Sequence, residues 1–318
     1  MSSLTSKPSV SMAASLASVH REDVVDRLAA MDMQAQSTYG CQDYLNREII
    51  AGNGKCVEKA CRTQICEWLY RVADHLNIDR EVVMMAIVLL DQFMTSRPYT
   101  CRRNFRLAAM ASLHLASKLY GGRTVRISFL AELSRGEFLI QHIAEMEQLL
   151  LFTLKWRVNP PTPLSFLQHF LALLPCSTPH ALKEELFQYS RFFVELSSCD
   201  YAFVTEKCSY VAIASIINTF DATSSFLDFN FDSKLLAEFL KTIFTVAKLT
   251  KEQSHKMDNL KDRLWTLFME SEEYHSGASS HLSVFALRRS CMITQDYPCR
   301  KDGGNSPVCV SGRTLNRL

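Results

Sequence analysis

The sequence has few of the signatures that announce chemistry. It contains no Gly-rich phosphate loop, no His-Glu-x-x-His and no Gly-x-Ser-x-Gly, and its 9 histidines are scattered without a carboxylate at motif spacing. That argues against a nucleotide hydrolase, a zinc protease or an α/β-hydrolase. Charge of one sign is not in excess: the formal net charge is +2, too small for a global pull toward nucleic acid. No apolar run reaches the ~18 residues of a membrane-spanning helix. The longest, Val82–Met94, is interrupted by Asp91 and Gln92. No Cys-x-x-Cys pair occurs, the cysteine count is odd at 11, and no secretory signal opens the sequence. The cysteines therefore read as reduced intracellular thiols behaving as small apolar residues; His/Cys spacing gives no support to a zinc site. The paired bases Arg288-Arg289 and Arg300-Lys301 fall short of a nuclear-import cluster. The expected location is the nucleus or the cytoplasm, with no membrane and no nucleic-acid partner.

No strand pattern stands out either, and helical periodicity runs through most of the chain. At 318 residues, 47% hydrophobic and 21% charged, there is material for two globular domains. Residues 1–20 are Ser-rich and read as disordered. A short leading helix is expected over His20–Asp32, and Gly52-Asn53-Gly54 marks a turn. Ile65, Leu69, Val72, Ala73 and Leu76 form one apolar helical face. Asp79 is a suitable N-cap for the next helix, which is apolar nearly all round and therefore surrounded by neighbours. Pro98 stops it. Phe105–Tyr120 carries Ala108, Ala109, Ala111 and Ala116, small residues that let a central helix be approached closely, and Gly121-Gly122 ends it. Ile127–Leu133 and Leu139–Leu154 complete five helices. The Asn159-Pro160-Pro161-Thr162-Pro163 segment is not helical and forms a linker. Five more helices are expected over Leu164–Leu174, Ala181–Ser198, Val204–Phe220, Lys234–Val246 and Glu252–Tyr274. The fold class is all-α: tandem five-helix bundles over 21–158 and 159–275, with a flexible tail over 276–318.

Four charges stand inside strongly apolar helical stretches: Arg62, Asp91, Lys118 and Glu147. Most charged residues on an amphipathic helix are simply solvated. Arg62 and Asp91 have little polar surface around them, and opposite charges on adjoining apolar helices point to a structural ion pair. Lys118 precedes the Gly-Gly stop, where a cation also suits a helix C-terminus. Physical chemistry alone leaves its role open between structure and binding.

The ordered segments Cys61-Arg62-Thr63-Gln64-Ile65-Cys66-Glu67-Trp68-Leu69, Leu90-Asp91-Gln92-Phe93-Met94, Leu115-Ala116-Ser117-Lys118, Met146-Glu147 and Leu154-Lys155-Trp156 resemble the first box of a cyclin. The resemblance covers about 57–175. Thr162-Pro163-Leu164-Ser165-Phe166-Leu167 followed by His169-Phe170 is similar to D-type cyclins in particular, and Phe192–Val211 to the start of a second box. It implies tandem cyclin-like bundles and a regulatory subunit, without catalysis or cofactor of its own, that binds and activates a cyclin-dependent protein serine/threonine kinase. ATP and Mg²⁺ then belong to the kinase. Arg62 and Asp91 become the structural pair of the family. Lys118 and Glu147 become kinase-facing residues, with Leu119, Leu150 and Phe152 as neighbouring contact surface.

The resemblance also implies a substrate-docking patch for peptides or inhibitors, with Ile65 and Trp68 as its apolar part. The acidic residue usual one turn after the Trp is replaced by Arg71, and Arg106 stands where a neutral polar residue is usual. Two cations there repel a basic peptide, so a preference for acidic or phosphorylated segments is expected. Leu119-Tyr120-Gly121 replaces the acidic pair that commonly follows the Lys, and neither Leu-x-Cys-x-Glu nor Arg-x-x-Leu occurs in residues 1–60. Competing readings are a cyclin-fold scaffold that activates no kinase and a transcription-factor-like cyclin-fold protein. The local basic cluster of Arg97, Arg102, Arg103, Arg106, Arg123 and Arg126 keeps the second of these in view.

Overall fold

Apolar residues at helical spacing have no stable place until their helices meet, and the computed structural model shows how they meet. It describes residues 21–45, 57–98, 100–176, 178–226, 233–250 and 253–271. Within them are eleven α-helices: α1 Arg21–Ser37, α2 Lys59–Leu76, α3 Arg80–Ser96, α4 Arg102–Tyr120, α5 Ile127–Leu133, α6 Ile140–Thr153, α7 Pro163–Ala172, α8 His180–Cys199, α9 Cys208–Phe226, α10 Ser233–Val246 and α11 Ser254–Glu270. The expected disordered start (1–20), the Gly52–Gly54 turn and the tail (276–318) lie outside the described residues.

Local rules set several helix ends. Asp79 caps α3 by accepting from the Glu81 amide at 2.9 Å. Thr162 and Ser165 cap α7 reciprocally: Thr162 Oγ1 accepts from the Ser165 amide at 3.1 Å, and Ser165 Oγ accepts from the Thr162 amide at 2.9 Å. Pro163 occupies the first turn, where its missing N–H costs nothing. Gly121 ends α4 because nothing larger fits: a Cβ there would lie 2.7 Å from the Ser117 carbonyl oxygen.

Helices α2–α6 enclose one core, built on Leu69, Val83, Leu90, Ala108, Leu113, Ile143 and Leu150. Helix α4 lies at its centre, packed against α2, α3 and α6, and its alanines are fully buried. Helices α7–α11 enclose a second core around Leu167, Phe193, Ile213, Ile243 and Leu264. The leading helix runs to Ser37, longer than the sequence suggests, and packs Val24 and Leu28 into the second core. The Val204 helix starts later, at Cys208, because Asp200 first caps a single 3₁₀ turn over Tyr201–Phe203 through the Ala202 amide at 3.0 Å.

Charged groups sew the bundles together. Glu195 of α8, 1% exposed, accepts from Arg80 Nη1 at 3.0 Å and from Arg191 Nε at 2.9 Å. Arg80 also reaches Asp74 at 3.0 Å, and Arg191 reaches Asp79 at 2.8 Å. Burial disfavours both guanidinium charges, but the carboxylates together outweigh it, Glu195 with Asp74 for Arg80 and Glu195 with Asp79 for Arg191, and hold both pKa values above their ordinary range.

Candidate functional site

Helices α4 and α6 cross so that their C-terminal ends share one rim of the first bundle. Helix α6 is held by Ile143, Met146 and Leu150, spaced three and four apart and all turned inward. Glu147 sits at the margin of that stripe, its side chain 12% exposed. Lys118, in the last turn of α4 and 45% exposed, donates from Nζ to Glu147 Oε1 at 2.7 Å. One turn earlier, the buried ring of His114 brings Nε2 to 3.6 Å from Glu147 Oε2. His114 Nδ1 lies 2.6 Å from the Val125 carbonyl. The segment after the Gly-Gly stop is thus fixed onto α4, and the Val125 amide adds a bond to Ser117 Oγ at 2.9 Å.

Large apolar side chains at and just beyond the ends of α4 and α6 stand in the open. Leu119 is 47% exposed, Phe152 83% and Trp156 71%. Leu150, expected from the sequence to join that surface, is fully buried; its position in the inward stripe of α6 makes it core. Trp156 was not singled out as a surface group by sequence reasoning, because its exposure depends on the way α6 ends. The Trp156 amide bonds the Leu151 carbonyl at 2.9 Å and the Lys155 amide bonds the Phe152 carbonyl at 3.1 Å. That is the Schellman arrangement, with Lys155 at φ 53° where glycine is commonest. Trp156 is left-handed too, at φ 61°. Two consecutive non-glycine residues in that region cost free energy, and such strain concentrates at functional positions. The Tyr120 hydroxyl donates to the Val158 carbonyl, which ties the end of α4 to the chain just beyond Trp156.

Arg62 and Asp91 meet inside the protein. Arg62 Nε donates to Asp91 Oδ1 at 2.8 Å and Nη2 to Oδ2 at 2.7 Å. The Tyr44 hydroxyl donates to Oδ1 at 2.7 Å. Arg62 Nη2 also donates to the Ser198 carbonyl of α8 at 3.0 Å, so the pair spans both bundles. Burial opposes the Arg62 charge, but the Asp91 carboxylate prevails and holds the guanidinium protonated well above its usual range. The remaining guanidinium nitrogen, Nη1, has no protein partner, and Arg62 lines a cleft of about 200 Å³ between the bundles.

A sequence model of the cyclin N-terminal domain matches residues 31–159, and one of the cyclin C-terminal domain matches 161–257. The chain belongs to the cyclin family. It is 32% identical over 129 residues to Cyclin-D3-3 of Arabidopsis thaliana, covering 39% of this chain and 35% of that protein. It is 24% identical over 208 residues to G1/S-specific cyclin-D1 of Canis lupus familiaris, covering 63% and 70%. It is 30% identical over 166 residues to Cyclin-O protein B of Xenopus laevis, covering 50% and 45%. The aligned region thus spans about a third of the first of these relatives and under half of the third. The crystal structure of a viral cyclin from herpesvirus saimiri superposes with a TM-score of 0.57 at 15% identity, over 76% of this chain and 96% of that one, which shows a shared fold.

Within this cyclin the expected docking patch does not assemble as the sequence suggests. Ile65 and Trp68 are 4% and 3% exposed and belong to the first core, so they offer no apolar surface. Arg106 is neutralised by an ion pair with Glu137 on the loop before α6. Arg71 is half-buried, and its Nε has no protein partner. Sequence reasoning also missed Glu195 and Ser198, both on α8, whose roles depend on contacts more than 100 positions away in the chain. Among the described residues, no group of His, Cys, Asp or Glu converges to hold a metal ion.

Proposed function

We propose that this cyclin binds and activates a cyclin-dependent protein serine/threonine kinase through the α4–α6 rim. One observation carries the reading: the Lys118–Glu147 pair is flanked by Leu119, Phe152 and Trp156, large apolar groups left in solvent. Large apolar groups left exposed near the ends of two neighbouring helices favour an interaction site, and aromatic anchors and charges are what interfaces use. In the cyclin family the matching Lys and Glu face the kinase. The likeness to G1/S-specific cyclin-D1 of Canis lupus familiaris supports a cyclin regulatory role.

The mechanism under this reading is positional. A protein kinase needs its Lys–Glu ion pair and its metal-binding Asp in place before phosphoryl transfer proceeds. A partner that binds the productive arrangement better than the idle one shifts the population toward it. Lys118 and Glu147 supply charged hydrogen bonds to the kinase's mobile regulatory helix, and the apolar flank excludes water around them. Location in the nucleus or cytoplasm follows from such a partner.

The test is co-expression of the full chain with a panel of recombinant cyclin-dependent kinase catalytic subunits, scored by affinity and by phosphorylation of a peptide substrate. Wild type runs beside Lys118→Ala/Glu147→Ala. Truncating a desolvated interface charge costs about 2–5 kcal/mol, so affinity is expected to fall by at least about 30-fold. Equal capture and activation by both proteins would place the interface elsewhere, and no capture by wild type would overturn the reading.

A further inference from the structure

We infer that His114 is a positioning residue for the Glu147 carboxylate and makes kinase binding sensitive to pH, an inference that rests on the proposed function above. The tautomer is dictated by the fold. The Val125 carbonyl accepts hydrogen bonds and donates none, so His114 Nδ1, 2.6 Å away, carries the proton. In the neutral ring Nε2 is then a lone pair. It faces another acceptor, Glu147 Oε2, at 3.6 Å. Neutral His114 gives that oxygen no hydrogen bond and leaves it available to a partner's donors.

Protonation reverses this. The imidazolium places an N–H and a positive charge at Nε2, 3.6 Å from Oε2. Glu147 is then held from both sides, by Lys118 on Oε1 and by His114 on Oε2. Each oxygen keeps a lone pair, but the second cation beside the carboxylate competes with a partner's N–H donors for its negative charge. Affinity for the kinase is therefore highest with neutral His114 and declines as the ring protonates.

The neighbourhood contains few other groups that compete for this role. On α4, Lys118 shares Glu147 with His114. On α6, Glu147 is the carboxylate within ion-pair reach of the ring. On α2 and α3 the buried charges Arg62 and Asp91 pair with each other, and Lys59, Glu67, Arg71, Asp74 and His75 of α2 and Arg80 and Glu81 of α3 make no ion pair with the ring among the described residues. The segment carrying Val125 presents its carbonyl and also bears the cations Arg123 and Arg126, and on α5 the ionisable group is Glu132; none of these makes an ion pair with the ring among the described residues.

The experiment measures the dissociation constant for whichever kinase subunit wild type captures, at pH 5.5, 6.5 and 7.5. It compares the full-length wild type with His114→Leu and His114→Gln. Taking the ratio of wild type to variant at each pH cancels titration within the kinase. Wild type is expected to lose affinity relative to both variants as pH falls, with a slope no steeper than about tenfold per unit, the limit for one linked proton. Thermal unfolding of each variant checks folding. A merely structural His114 lowers affinity by the same factor at every pH, so parallel profiles overturn the inference while leaving the kinase reading intact. Absence of binding by wild type at every pH strikes the kinase reading instead. A ¹⁵N imidazole spectrum of the free protein gives a partner-independent check: protonation of the neutral ring at Nε2 rather than Nδ1 also overturns the inference.

Discussion

Asp91→Ala is the perturbation with the most to say about how this cyclin is held together. The carboxylate accepts three hydrogen bonds, two from Arg62 and one from Tyr44. Its removal leaves Arg62, 2% exposed, with the Ser198 carbonyl as its remaining hydrogen-bond partner and the Tyr201 ring 5.9 Å away. Arg62 has no escape by losing its proton, because guanidinium stays charged throughout the accessible pH range. Breaking a buried pair from one side costs about 3–5 kcal/mol. For a protein of this size each kcal/mol moves the midpoint by roughly 2–4 °C, so a loss of about 6–20 °C is expected in a thermal scan. Urea denaturation at 25 °C gives the free energy directly. The companion variant Arg62→Met/Asp91→Leu replaces both charges by apolar groups and is expected to recover most of the loss, since a well-packed apolar pair is often as stable as the ion pair. If Asp91→Ala costs less than about 1 kcal/mol, the range of solvated pairs, the site is wetter than its burial implies and the reasoning fails. Equal destabilisation by the single and double variants would show that packing, and not an orphaned charge, sets the cost.

Gly121→Ala is expected to destabilise by about 1–3 kcal/mol in urea melts, because its Cβ would lie 2.7 Å from the Ser117 carbonyl oxygen and 3.1 Å from that of Arg123. Gly122→Ala, with nothing within 4 Å, is the control and is expected to be near neutral. Trp156→Ala is expected to leave the melting temperature within a few degrees, since 71% of the residue is already exposed, while weakening kinase capture; a large stability loss with capture unchanged would contradict its assignment to the interface. His169 predicts a pH effect on stability. Its ring is half-buried, Nδ1 bonds the Ser165 carbonyl at 2.7 Å, and burial, helped by the Arg27 charge, lowers its pKa below the ordinary value. The unfolded chain therefore binds the proton more readily near pH 6.5, and stability falls as pH drops from there toward the folded-state pKa. His169→Gln is expected to flatten urea-derived stability between pH 7 and pH 5.5; an unchanged slope would show that His169 does not contribute to it.

The parts of this molecule legible in the sequence are those that local chemistry decides. Helix α3 is apolar nearly all round and starts after Asp79, so its existence, its cap and its central burial all follow from adjacent residues. The Pro-rich linker and the Thr162-Pro163 start of α7 are equally local. The Arg62–Asp91 pair was readable because two charges in apolar helices have few ways to be satisfied. What escaped depends on distance in the chain. The second attachment of Arg62, to Ser198, joins positions 136 apart and turns a bundle contact into a bridge between bundles. Leading helix α1 carries apolar residues that fit either core equally well by pattern, and tertiary packing assigns Val24 and Leu28 to the second.

The candidate site shows the same division at finer scale. Leu150 and Phe152 are two positions apart, and either suits an apolar surface by composition. The helical phase set by Ile143 and Met146 sends Leu150 inward, and that phase is visible in the sequence once α6 is placed. Trp156 lies beyond the helix, where phase no longer applies. Its direction is set by two left-handed residues whose types, Lys and Trp, give no warning of that conformation. Trp68 errs in the opposite sense: a large aromatic beside charged residues suggested an anchor, yet helix α2 turns it into the core. An aromatic residue's chemistry thus says that it wants a partner, and only the backbone says whether the partner is inside this chain or on another. By that criterion the unmet demand in this cyclin gathers where α4 and α6 end, around a carboxylate whose two oxygens are approached by a lysine and a histidine.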